Sequence, residues 1–273
     1  INRLNHDSKV LIMGILNVTP DSFSDGGRFT RTNIAVDHAF KMIDEGANII
    51  DIGGESTRPG SVPVSEDEEC KRILPVIESI KKINSKITIS IDTYKASVAK
   101  KAIEAGADIV NDISGLTFDP NMLPLLSGKD IFVIIMHING KPKTMQKNPV
   151  YANLIEDIKS FLIHQSKVAE KSGIKKDHII LDPGIGFGKT FDHNFTLLRR
   201  LDEICSLGYP VMIGPSRKAF IGDVLDLPPD DRIEGTLATI VAGILNGAKI
   251  VRVHDVKEVN RVVKITEKIL ASA

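Results

Sequence analysis

Charged and hydrogen-bonding residues recur along this sequence at the ends of short apolar runs. One set is cationic or carries hydroxyl groups, and it comprises Ser56, Thr57, Arg58, Lys218, Arg252 and His254. Guanidinium groups bind phosphate oxygens in a bidentate manner, and hydroxyl groups can bond to the oxygens that remain. The residue types in this set therefore favour binding of a polyphosphate.

A second set is acidic or neutral and consists of Asp92, Asn111 and Asp182. Carboxylates and an amide in one pocket can bond to the amino and N–H edges of a flat, nitrogen-rich heterocycle, and they favour positive charge that develops on it. Asn17 adds a neutral oxygen, and a Mg²⁺ ion shared with phosphates takes only one or two protein ligands. The two sets together indicate departure of pyrophosphate from a carbon atom, which leaves a cation.

Eight short apolar runs must position these side chains. The runs are Val10–Asn17, Asn48–Ile52, Ile87–Asp92, Asp108–Asp112, Ile131–His137, His178–Asp182, Pro210–Gly214 and Lys249–His254. They are rich in β-branched residues, as buried parallel strands are, and amphipathic helical patterns separate them, as over Lys95–Ala105 and Asp255–Leu270. A Gly-Ala pair opens the approach to three of the strands, at Gly46, Gly106 and Gly247, which indicates units built alike.

Eight strand–helix units in this length predict an α/β fold, a (β/α)₈ TIM barrel formed by a single domain over residues 1–273. A doubly wound open sheet is the competing fold, but no glycine-rich dinucleotide fingerprint follows the first run. In such barrels the active site lies at the carboxyl ends of the strands. We therefore predict that the two sets of side chains meet at one barrel mouth.

Composition excludes several other classes of protein. The 273 residues are 42% hydrophobic and 26% charged, which is typical of a globular chain and not of a disordered one. The formal net charge is zero and there is no Trp, so we expect no nucleic-acid partner. No apolar run approaches a membrane span, and residues 1–9 are polar, so we expect no membrane partner and a cytoplasmic location.

Two possible functional interpretations of local sequence, a phosphate-binding P-loop and a Schiff-base lysine, are not supported. Gly186–Thr190 resembles the end of a phosphate-binding P-loop, but the first glycine of that motif would fall at Pro183. Lys218 is predicted to lie in a loop, where contact with a phosphate or a heterocycle is more plausible than a Schiff base.

Of the histidines, His137 is interpreted as a core residue, and His178 and His193 are assigned to the surface or to helices. Cys70 and Cys205 are interpreted as packing residues.

Seven strings give the chain a specific resemblance to the dihydropteroate synthase family of pterin-binding enzymes. They are GILNVTPDSFSDGG (14–27), DIGGESTRPG (51–60), SIDTYK (90–95), NDISG (111–115), LDPGIGFGK (181–189), SRK (216–218) and RVHDV (252–256). The resemblance implies condensation of 6-hydroxymethyl-7,8-dihydropterin pyrophosphate with para-aminobenzoate, by an SN1-like route in folate synthesis. It also implies inhibition by sulfonamides and a homodimer.

The resemblance further assigns roles to individual residues. The pterin ring would contact Asp92, Asn111, Met136, Asp182 and Lys218, and the pyrophosphate would contact Thr57, Arg58, Arg252 and His254. Para-aminobenzoate would contact Phe23, Ser56, Pro59 and Phe187, while Asn17 would bind Mg²⁺. Catalytic roles fall to Asp25, Arg58, Asp182 and Lys218, with Asp25 helping to organise the closed site.

One position departs from the family pattern. Many members have a serine after the SRK lysine, whereas Ala219 follows Lys218 here, so a hydroxyl group beside the aminobenzoate carboxylate is absent. A barrel that transfers a methyl group from methyltetrahydrofolate is the nearest enzymatic alternative, but it needs no pyrophosphate cluster. A pterin-binding domain without catalysis is the alternative from another class of protein.

Overall fold

In the computed structural model, residues 9–19, 28–57 and 60–272 are described. Their strands are β1 (Leu11–Asn17), β2 (Ile49–Gly53), β3 (Thr88–Asp92), β4 (Ile109–Asp112), β5 (Phe132–Met136), β6 (Ile179–Asp182), β7 (Met212–Ile213) and β8 (Ile250–Val253). The helices are α1 (Arg28–Asp44), α2 (Glu66–Ile83), α3 (Ala96–Glu104), α4 (Met122–Leu126), α5 (Leu154–Lys171), α6 (Phe191–Arg199), α7 (Leu201–Cys205), α8 (Ala219–Leu225), α9 (Ile233–Leu245) and α10 (Val256–Leu270). Short 3₁₀ helices occur at Lys176–His178 and Pro229–Asp231.

The strands form one parallel sheet in the order β6-β5-β4-β3-β2-β1-β8-β7. An isolated parallel bridge between Leu181 and Val211 joins its two ends, where the Leu181 N–H donates to the carbonyl of Pro210 at 2.9 Å. The predicted (β/α)₈ barrel is confirmed. All eight predicted strands are present. Seven are one or more residues shorter than predicted, with β7 reduced to two residues, whereas β2 keeps its length and is shifted by one residue.

Two apolar layers support the barrel. Inside it, one residue from most strands fills the centre: Met13, Ile49, Ile109, Phe132, Ile134, Ile180, Met212 and Ile250. Outside it, a larger core joins the outward side chains of the strands to the apolar faces of the helices. Because the inner layer closes the centre of the barrel, polar side chains at the carboxyl ends of the strands line the floor of a cup above it.

The repeated Gly-Ala pair ends three helices in the same way. Gly46, Gly106 and Gly247 have φ values of 113°, 113° and 102°. The amide of the following alanine reaches five residues back, as from Ala107 to the carbonyl of Ala102 at 2.9 Å, which is the hydrogen bond of a Schellman motif. The predicted cap and tight turn are therefore confirmed at all three sites.

Other local expectations also meet the structure. The acidic run that begins α2 follows Ser65, whose hydroxyl accepts a hydrogen bond from the Glu68 amide at 3.2 Å. His178, expected at the surface or in a helix, lies in a short 3₁₀ helix, where it is buried and stacks on Phe132. Cys70 is buried and Cys205 is half-buried against the core, and both are free thiols.

Candidate functional site

Three buried polar residues lie at the carboxyl ends of β3, β4 and β6 at the barrel mouth: Asp92 and Asp182 are the last residues of their strands, and Asn111 is the last but one. Asp92 and Asn111 are partners in the register of β3 and β4, and Asp182 pairs with Met136 in the register of β5 and β6. Asp92 is 8% exposed, Asn111 3% and Asp182 5%, so each side chain is nearly shut off from bulk water. Among the described residues, Oδ1 of Asp92 and Oδ1 of Asn111 are buried without a hydrogen-bond partner. Asp92, Asn111 and Asp182, called the acidic floor below, therefore offer hydrogen-bond acceptors to a polar ligand.

Arg252, on β8, connects the cationic and acidic sets directly. Its Nε lies 2.6 Å from Oδ2 of Asp51, and its Nη2 lies 2.7 Å from Oδ2 of Asp92. The two sets, predicted to meet at one barrel mouth, touch at Arg252, whose side chain directly contacts Asp92 of the acidic set. Within the described residues no hydrogen bond uses its Nη1, which leaves that nitrogen for a ligand.

Asp51 supports this arrangement from below. It is fully buried, and its Oδ2 accepts hydrogen bonds from Arg252 and from Nδ2 of Asn111, the latter at 3.2 Å. One carboxylate thereby fixes a side chain of each set. The interpretation that Asp51 braces the mouth agrees with these contacts.

Burial changes the acid–base properties of the floor. Desolvation raises the pKa of Asp92, while the adjacent Arg252 guanidinium opposes that rise. Desolvation also raises the pKa of Asp182, against the hydrogen bond that its Oδ1 accepts from the Gly184 amide at 2.7 Å and the charges of Lys218, Lys189 and Arg252. Burial disfavours Arg252 as a cation, but the carboxylates of Asp51 and Asp92 outweigh it and raise the pKa of Arg252. The floor thus depends on the cations around it to stay ionised.

Lys218 reaches the same floor from the loop after β7. Its Nζ donates to the carbonyl of Ile185 and lies 4.3 Å from the centre of the Phe187 ring. Burial lowers its pKa to about 7, although the charge of Asp182 opposes that change. Lys218 also forms the N-cap of α8, so its backbone is fixed at the start of a helix.

The residue before Lys218 turns the backbone toward the mouth. Arg217 has φ +59°, a left-handed conformation that costs a non-glycine residue about 1–2 kcal/mol. Its guanidinium makes two hydrogen bonds to Asp255, at 3.0 and 2.5 Å, and contacts Asp230 at 2.8 Å. These ion pairs hold the strained turn in place. The sequence indicated no role for Arg217.

His254 and Ser216 lie next to Arg252 at the mouth and contact each other. Oγ of Ser216 lies 3.0 Å from Nδ1 of His254 and also accepts a hydrogen bond from the His254 amide at 3.2 Å. On the loop after β2, Thr57 is half-buried and Ser56 is exposed. Arg58 and Pro59 of that loop lie outside the described residues, as do Phe23 and Asp25 of the loop after β1.

The base of the loop after β2 is held by an ionic cluster. Nζ of Lys95 contacts Oε2 of Glu55 at 2.6 Å, Oε2 of Glu69 at 2.7 Å and the carbonyl of Val64 at 2.7 Å. Tyr94 donates to Oε1 of Glu55 at 2.8 Å. The SIDTYK string contains both Tyr94 and Lys95, but only the folded chain shows that they anchor the segment next to Ser56 and Thr57.

An apolar wall stands beside the acidic floor. Met136 packs with Ile113, Ile138 and Met145, and Phe187 lies against this cluster. Since Met136 ends β5 and Phe187 follows β6, the wall borders Asp182 and Lys218. A flat ring could pack on these side chains while its polar edge bonds to the floor.

Asn17, at the end of β1, suits a metal shared with a ligand better than a metal bound by protein alone. No group of three or more His, Cys, Asp or Glu side chains within residues 9–19, 28–57 and 60–272 is arranged to hold a metal ion. A Cβ placed on Gly53 would lie 3.7 Å from Oδ1 of Asn17 and 3.8 Å from Oδ2 of Asp92, so both oxygens face the same glycine. One amide oxygen beside a polyphosphate site fits the sparse protein coordination of Mg²⁺.

Sequence reasoning also missed a buried lysine behind the floor. Lys189 is 1% exposed, and its Nζ contacts Nδ1 of His137 at 3.1 Å and the carbonyl of Phe187 at 3.0 Å. The interpretation of His137 as a core residue agrees with its 7% exposure. Lys189 belongs to the string that resembled a P-loop, and a buried lysine without a carboxylate in direct contact could not be deduced from that string.

Comparison with known proteins gives consistent results along the chain. Residues 13–254 match the family described as pterin binding enzyme, a range that includes the carboxyl ends of all eight strands. A dihydropteroate synthase of Bacillus subtilis is 51% identical over 267 residues, which cover 98% of this chain and 91% of that protein.

Two solved structures are also similar. The dihydropteroate synthase of Clostridium difficile, determined in the presence of pteroic acid, has a TM-score of 0.91 and 49% identity, covering 96% of this chain and 98% of that one. The dihydropteroate synthase of Yersinia pestis, in complex with a sulfonamide drug, has a TM-score of 0.91 and 42% identity, covering 97% and 95%.

Proposed function

We propose roles for the residues of the mouth from one premise: this chain belongs to the pterin-binding enzyme family. Its reaction is the condensation of 6-hydroxymethyl-7,8-dihydropterin pyrophosphate with para-aminobenzoate, which yields 7,8-dihydropteroate and pyrophosphate. A C–O bond to pyrophosphate breaks, a C–N bond to the arylamine forms, and the arylamine nitrogen loses a proton. The chain is therefore a transferase of folate synthesis.

The acidic floor is proposed to bind the pterin ring. Asp92, Asn111 and Asp182 supply buried acceptors for its amino and N–H edge, Lys218 donates to its acceptor atoms, and Met136 packs on its face. The partnerless oxygens of Asp92 and Asn111 are the observation that best supports this assignment, because buried polar groups without partners are costly unless a ligand satisfies them.

The opposite side is proposed to bind pyrophosphate. Arg252 presents Nη1, and His254 and Thr57 lie at the same mouth, with Arg58 as a further predicted contact. We propose that Asn17 ligates a Mg²⁺ ion together with the phosphates. A bound Mg²⁺ would neutralise charge on the leaving group.

Bond breaking is proposed to precede bond making. The buried carboxylates of Asp51, Asp92 and Asp182 stabilise positive charge on the pterin methylene carbon after pyrophosphate departs. Their arrangement is preorganised, because Arg252 and the backbone of Gly184 already hold them in place. The arylamine then attacks the cation from the solvent side.

Para-aminobenzoate is proposed to lie between Phe187 and the loop after β2. Phe187 borders Lys218, and Ser56 is exposed at the rim. Phe23 and Pro59 complete the predicted contacts, and Asp25 and Arg58 are proposed to help close the site over the bound substrates. Ala219 provides no hydroxyl group beside Lys218, so the carboxylate of the substrate, or a sulfonamide in its place, is proposed to bind without that contact.

A homodimer is proposed from the outer surface. Large apolar side chains on α6, α8 and α9 are exposed, including Phe195 at 39%, Val224 at 66% and Leu245 at 52%. These three helices pack against one another, and we propose that a second copy of the chain covers their exposed side chains. Replacing Val224 and Leu245 by glutamate should yield a monomer in analytical ultracentrifugation, and an unchanged sedimentation coefficient would count against this surface.

No helix among the described residues combines the length and apolarity of a membrane span. A cytoplasmic location is proposed, and the free thiols of Cys70 and Cys205 support it, since reduced cysteines are typical of that compartment.

The decisive experiment follows release of pyrophosphate after the pterin pyrophosphate, para-aminobenzoate and Mg²⁺ are mixed with the protein. We expect stoichiometric formation of dihydropteroate, and loss of the reaction in Asp182→Asn, whose amide cannot accept on both atoms. Calorimetry should show that Asp182→Asn no longer binds free pterin. Unchanged pterin affinity in that variant would refute the assignment of the floor.

A further inference from the structure

Lys189 is a buried cation that the proposed roles leave unused. Its side chain is enclosed between the end of β5 and the loop after β6, with Nζ 3.1 Å from Nδ1 of His137 and 3.4 Å from the carbonyl of the same residue. The carbonyl of Phe187 lies 3.0 Å away. The atoms in contact with Nζ are therefore neutral acceptors, whereas a buried ammonium group is usually paired with a carboxylate.

These neighbours are attached to the proposed pterin site on both sides. The His137 amide donates to the carbonyl of Asp182 at 2.9 Å, and the Gly184 amide donates to the Asp182 carboxylate. A Cβ on Gly184, which has φ +71°, would lie 1.9 Å from the His137 carbonyl and 3.4 Å from Nζ of Lys189. The chain segments around Lys189 are thus in close contact, and the charges of Lys189 and Asp182 interact across them.

The loop held by Lys189 also carries the contacts of Lys218. Phe187, whose carbonyl binds Lys189, lies under Nζ of Lys218, and Ile185 in the same loop accepts a hydrogen bond from that atom. Lys189 therefore connects to the second proposed pterin ligand through a single loop of five residues, 184–188.

Asp182 and Lys189 each interact with several other charged groups. Asp182 faces the ammoniums of Lys189 and Lys218 and the guanidinium of Arg252, and Lys189 itself faces Asp182, Lys218 and the ring of His137. Burial lowers the pKa of Lys189 to about 7, against the charge of Asp182, and burial lowers the pKa of His137 to about 3. His137 thus stays neutral at pH 7, so its Nδ1 can accept a hydrogen bond from a charged lysine.

We propose that Lys189 is a positioning residue for the pterin site: its charged ammonium keeps Asp182 ionised, and its hydrogen bonds hold the loop that orients Lys218. The proposal rests on the pterin-binding role of Asp182. The charge effect can be separated from the effect on loop geometry by a variant that removes the charge of Lys189 but keeps a hydrogen-bond donor.

The sign of the charge effect follows from linkage. A nearby cation favours the carboxylate, so it lowers the pKa of Asp182; removing the cation raises that pKa. Pterin binding that needs the carboxylate is lost as the pH falls through this pKa. The acid limb of the binding profile should therefore move to higher pH when Lys189 loses its charge.

The test measures the affinity for free 6-hydroxymethylpterin by calorimetry as a function of pH. In Lys189→Gln, whose neutral amide can still donate to the carbonyls, we expect the acid limb to move up by about 1 pH unit. Tyr151→Phe is the matched control, because it removes the 2.6 Å hydrogen bond from Tyr151 to the carbonyl of Gly188 in the same loop without changing charge. Its acid limb should stay in place.

The outcomes are distinguishable. Equal profiles for Lys189→Gln and the wild type, or equal shifts in both variants, would show that Lys189 only supports the loop and would overturn the proposal. A wild-type protein whose pterin affinity has no acid limb would instead overturn the assignment of Asp182.

A second measurement keeps the proposal testable if the glutamine variant does not fold. The ¹⁵N chemical shift of Nζ in the wild-type protein reports whether Lys189 is charged. We expect an ammonium signal at the pH of tightest pterin binding, and a neutral amine at that pH would overturn the proposal.

Discussion

The arrangement of side chains at the barrel mouth depends on individual charged groups, above all on the guanidinium of Arg252. Arg252 contacts Asp51 and Asp92 through two different nitrogens, which only a planar guanidinium can do while it keeps a third nitrogen for a ligand. A lysine at this position would supply the charge from a single atom. The separate nitrogens of Arg252 therefore allow the proposed pyrophosphate and pterin sites to lie next to each other.

Arg252→Lys should separate the two subsites. The variant keeps a cation beside the buried carboxylates, so we expect it to fold, but it loses the fork that can contact pyrophosphate and floor together. Affinity for the pyrophosphate-bearing substrate should fall about tenfold or more, which corresponds to about 1.4 kcal/mol. Affinity for free pterin should change much less, and equal losses for both ligands in calorimetry would contradict the assigned role of Arg252.

Asp112 provides a test of buried charge away from the substrate. It is fully buried at the end of β4, and burial raises its pKa to about 6 despite the hydrogen bonds from Ser114. A carboxyl group whose pKa is raised in the folded state is bound more tightly to its proton there. Its contribution to stability is therefore lost as the pH rises from the unfolded pKa, near 3.8, to about 6.

Asp112→Asn should flatten that dependence. The amide keeps an oxygen for Ser114 and cannot ionise, so the free energy of unfolding at pH 7 should rise by up to about 3 kcal/mol relative to the wild type, with little gain at pH 4. Urea denaturation at several pH values measures the difference. A gain of the same size at both pH values would mean that ionisation of Asp112 is not the cause.

At the scale of elements, the helix-to-strand turns show how local chemistry sets the barrel geometry. Gly46, Gly106 and Gly247 adopt positive φ values. In each case the helix ends two residues before the glycine, and the next buried strand begins three residues after it. Because successive strands must start at the same end of the barrel, these short turns help to set strand register.

Gly46→Ala and Gly128→Ala form a matched pair for this idea. Both glycines have positive φ, but a Cβ on Gly46 would lie 2.1 Å from Nδ2 of Asn260, whereas one on Gly128 would have no heavy atom within 4 Å. Gly128→Ala should cost about 1 kcal/mol from backbone strain alone. Gly46→Ala should cost about 2–3 kcal/mol, since Asn260 must also give up its hydrogen bond to the Glu45 carbonyl.

Chemical denaturation of the two variants measures these costs. Equal losses in the free energy of unfolding would indicate that strain, and not the close approach of Asn260, determines what position 46 accepts.

At the scale of the whole molecule, closure of the barrel is uneven. β1 and β2 pair over five residues, whereas β6 and β7 meet at a single bridge between Leu181 and Val211. Asp182 ends β6 and Lys218 follows β7, so these two proposed pterin ligands lie on either side of this seam, the strand pair with the fewest described hydrogen bonds.

Native-state hydrogen exchange should detect this seam. The amide of Leu181, which donates across it to Pro210, should open with a lower free energy than the amide of Ile91 in β3, a strand paired on both sides. Both side chains are fully buried, so burial alone cannot explain a difference. Equal opening free energies by NMR would show that the barrel opens as one unit despite its short seventh strand.

Addition of pterin should raise the opening free energy of Leu181 if the ligand bridges the seam. Ile91 serves as the internal reference in the same experiment, because the ladders of β2 and β4 flank it on both sides.

Much of this molecule follows from patterns that act over short distances. Alternation of buried strands with amphipathic helices predicted the barrel, and the polar residues at the strand ends predicted the contents of the mouth, because parallel strands bring their carboxyl ends to one rim. The capping glycines and the acidic start of α2 are likewise properties of local sequence.

Other features depend on residues that are far apart in sequence. The contacts of Arg252 with Asp51 and Asp92 span 201 and 160 residues, and the burial of Lys189 against His137 spans 52. The strain at Arg217 is held by Asp255 on the next strand–helix unit. Local sequence determined which groups reach the mouth, but only the closed barrel decided which of them touch and how far each lies from water, because desolvation and ion pairing depend on neighbours that no short stretch of sequence contains.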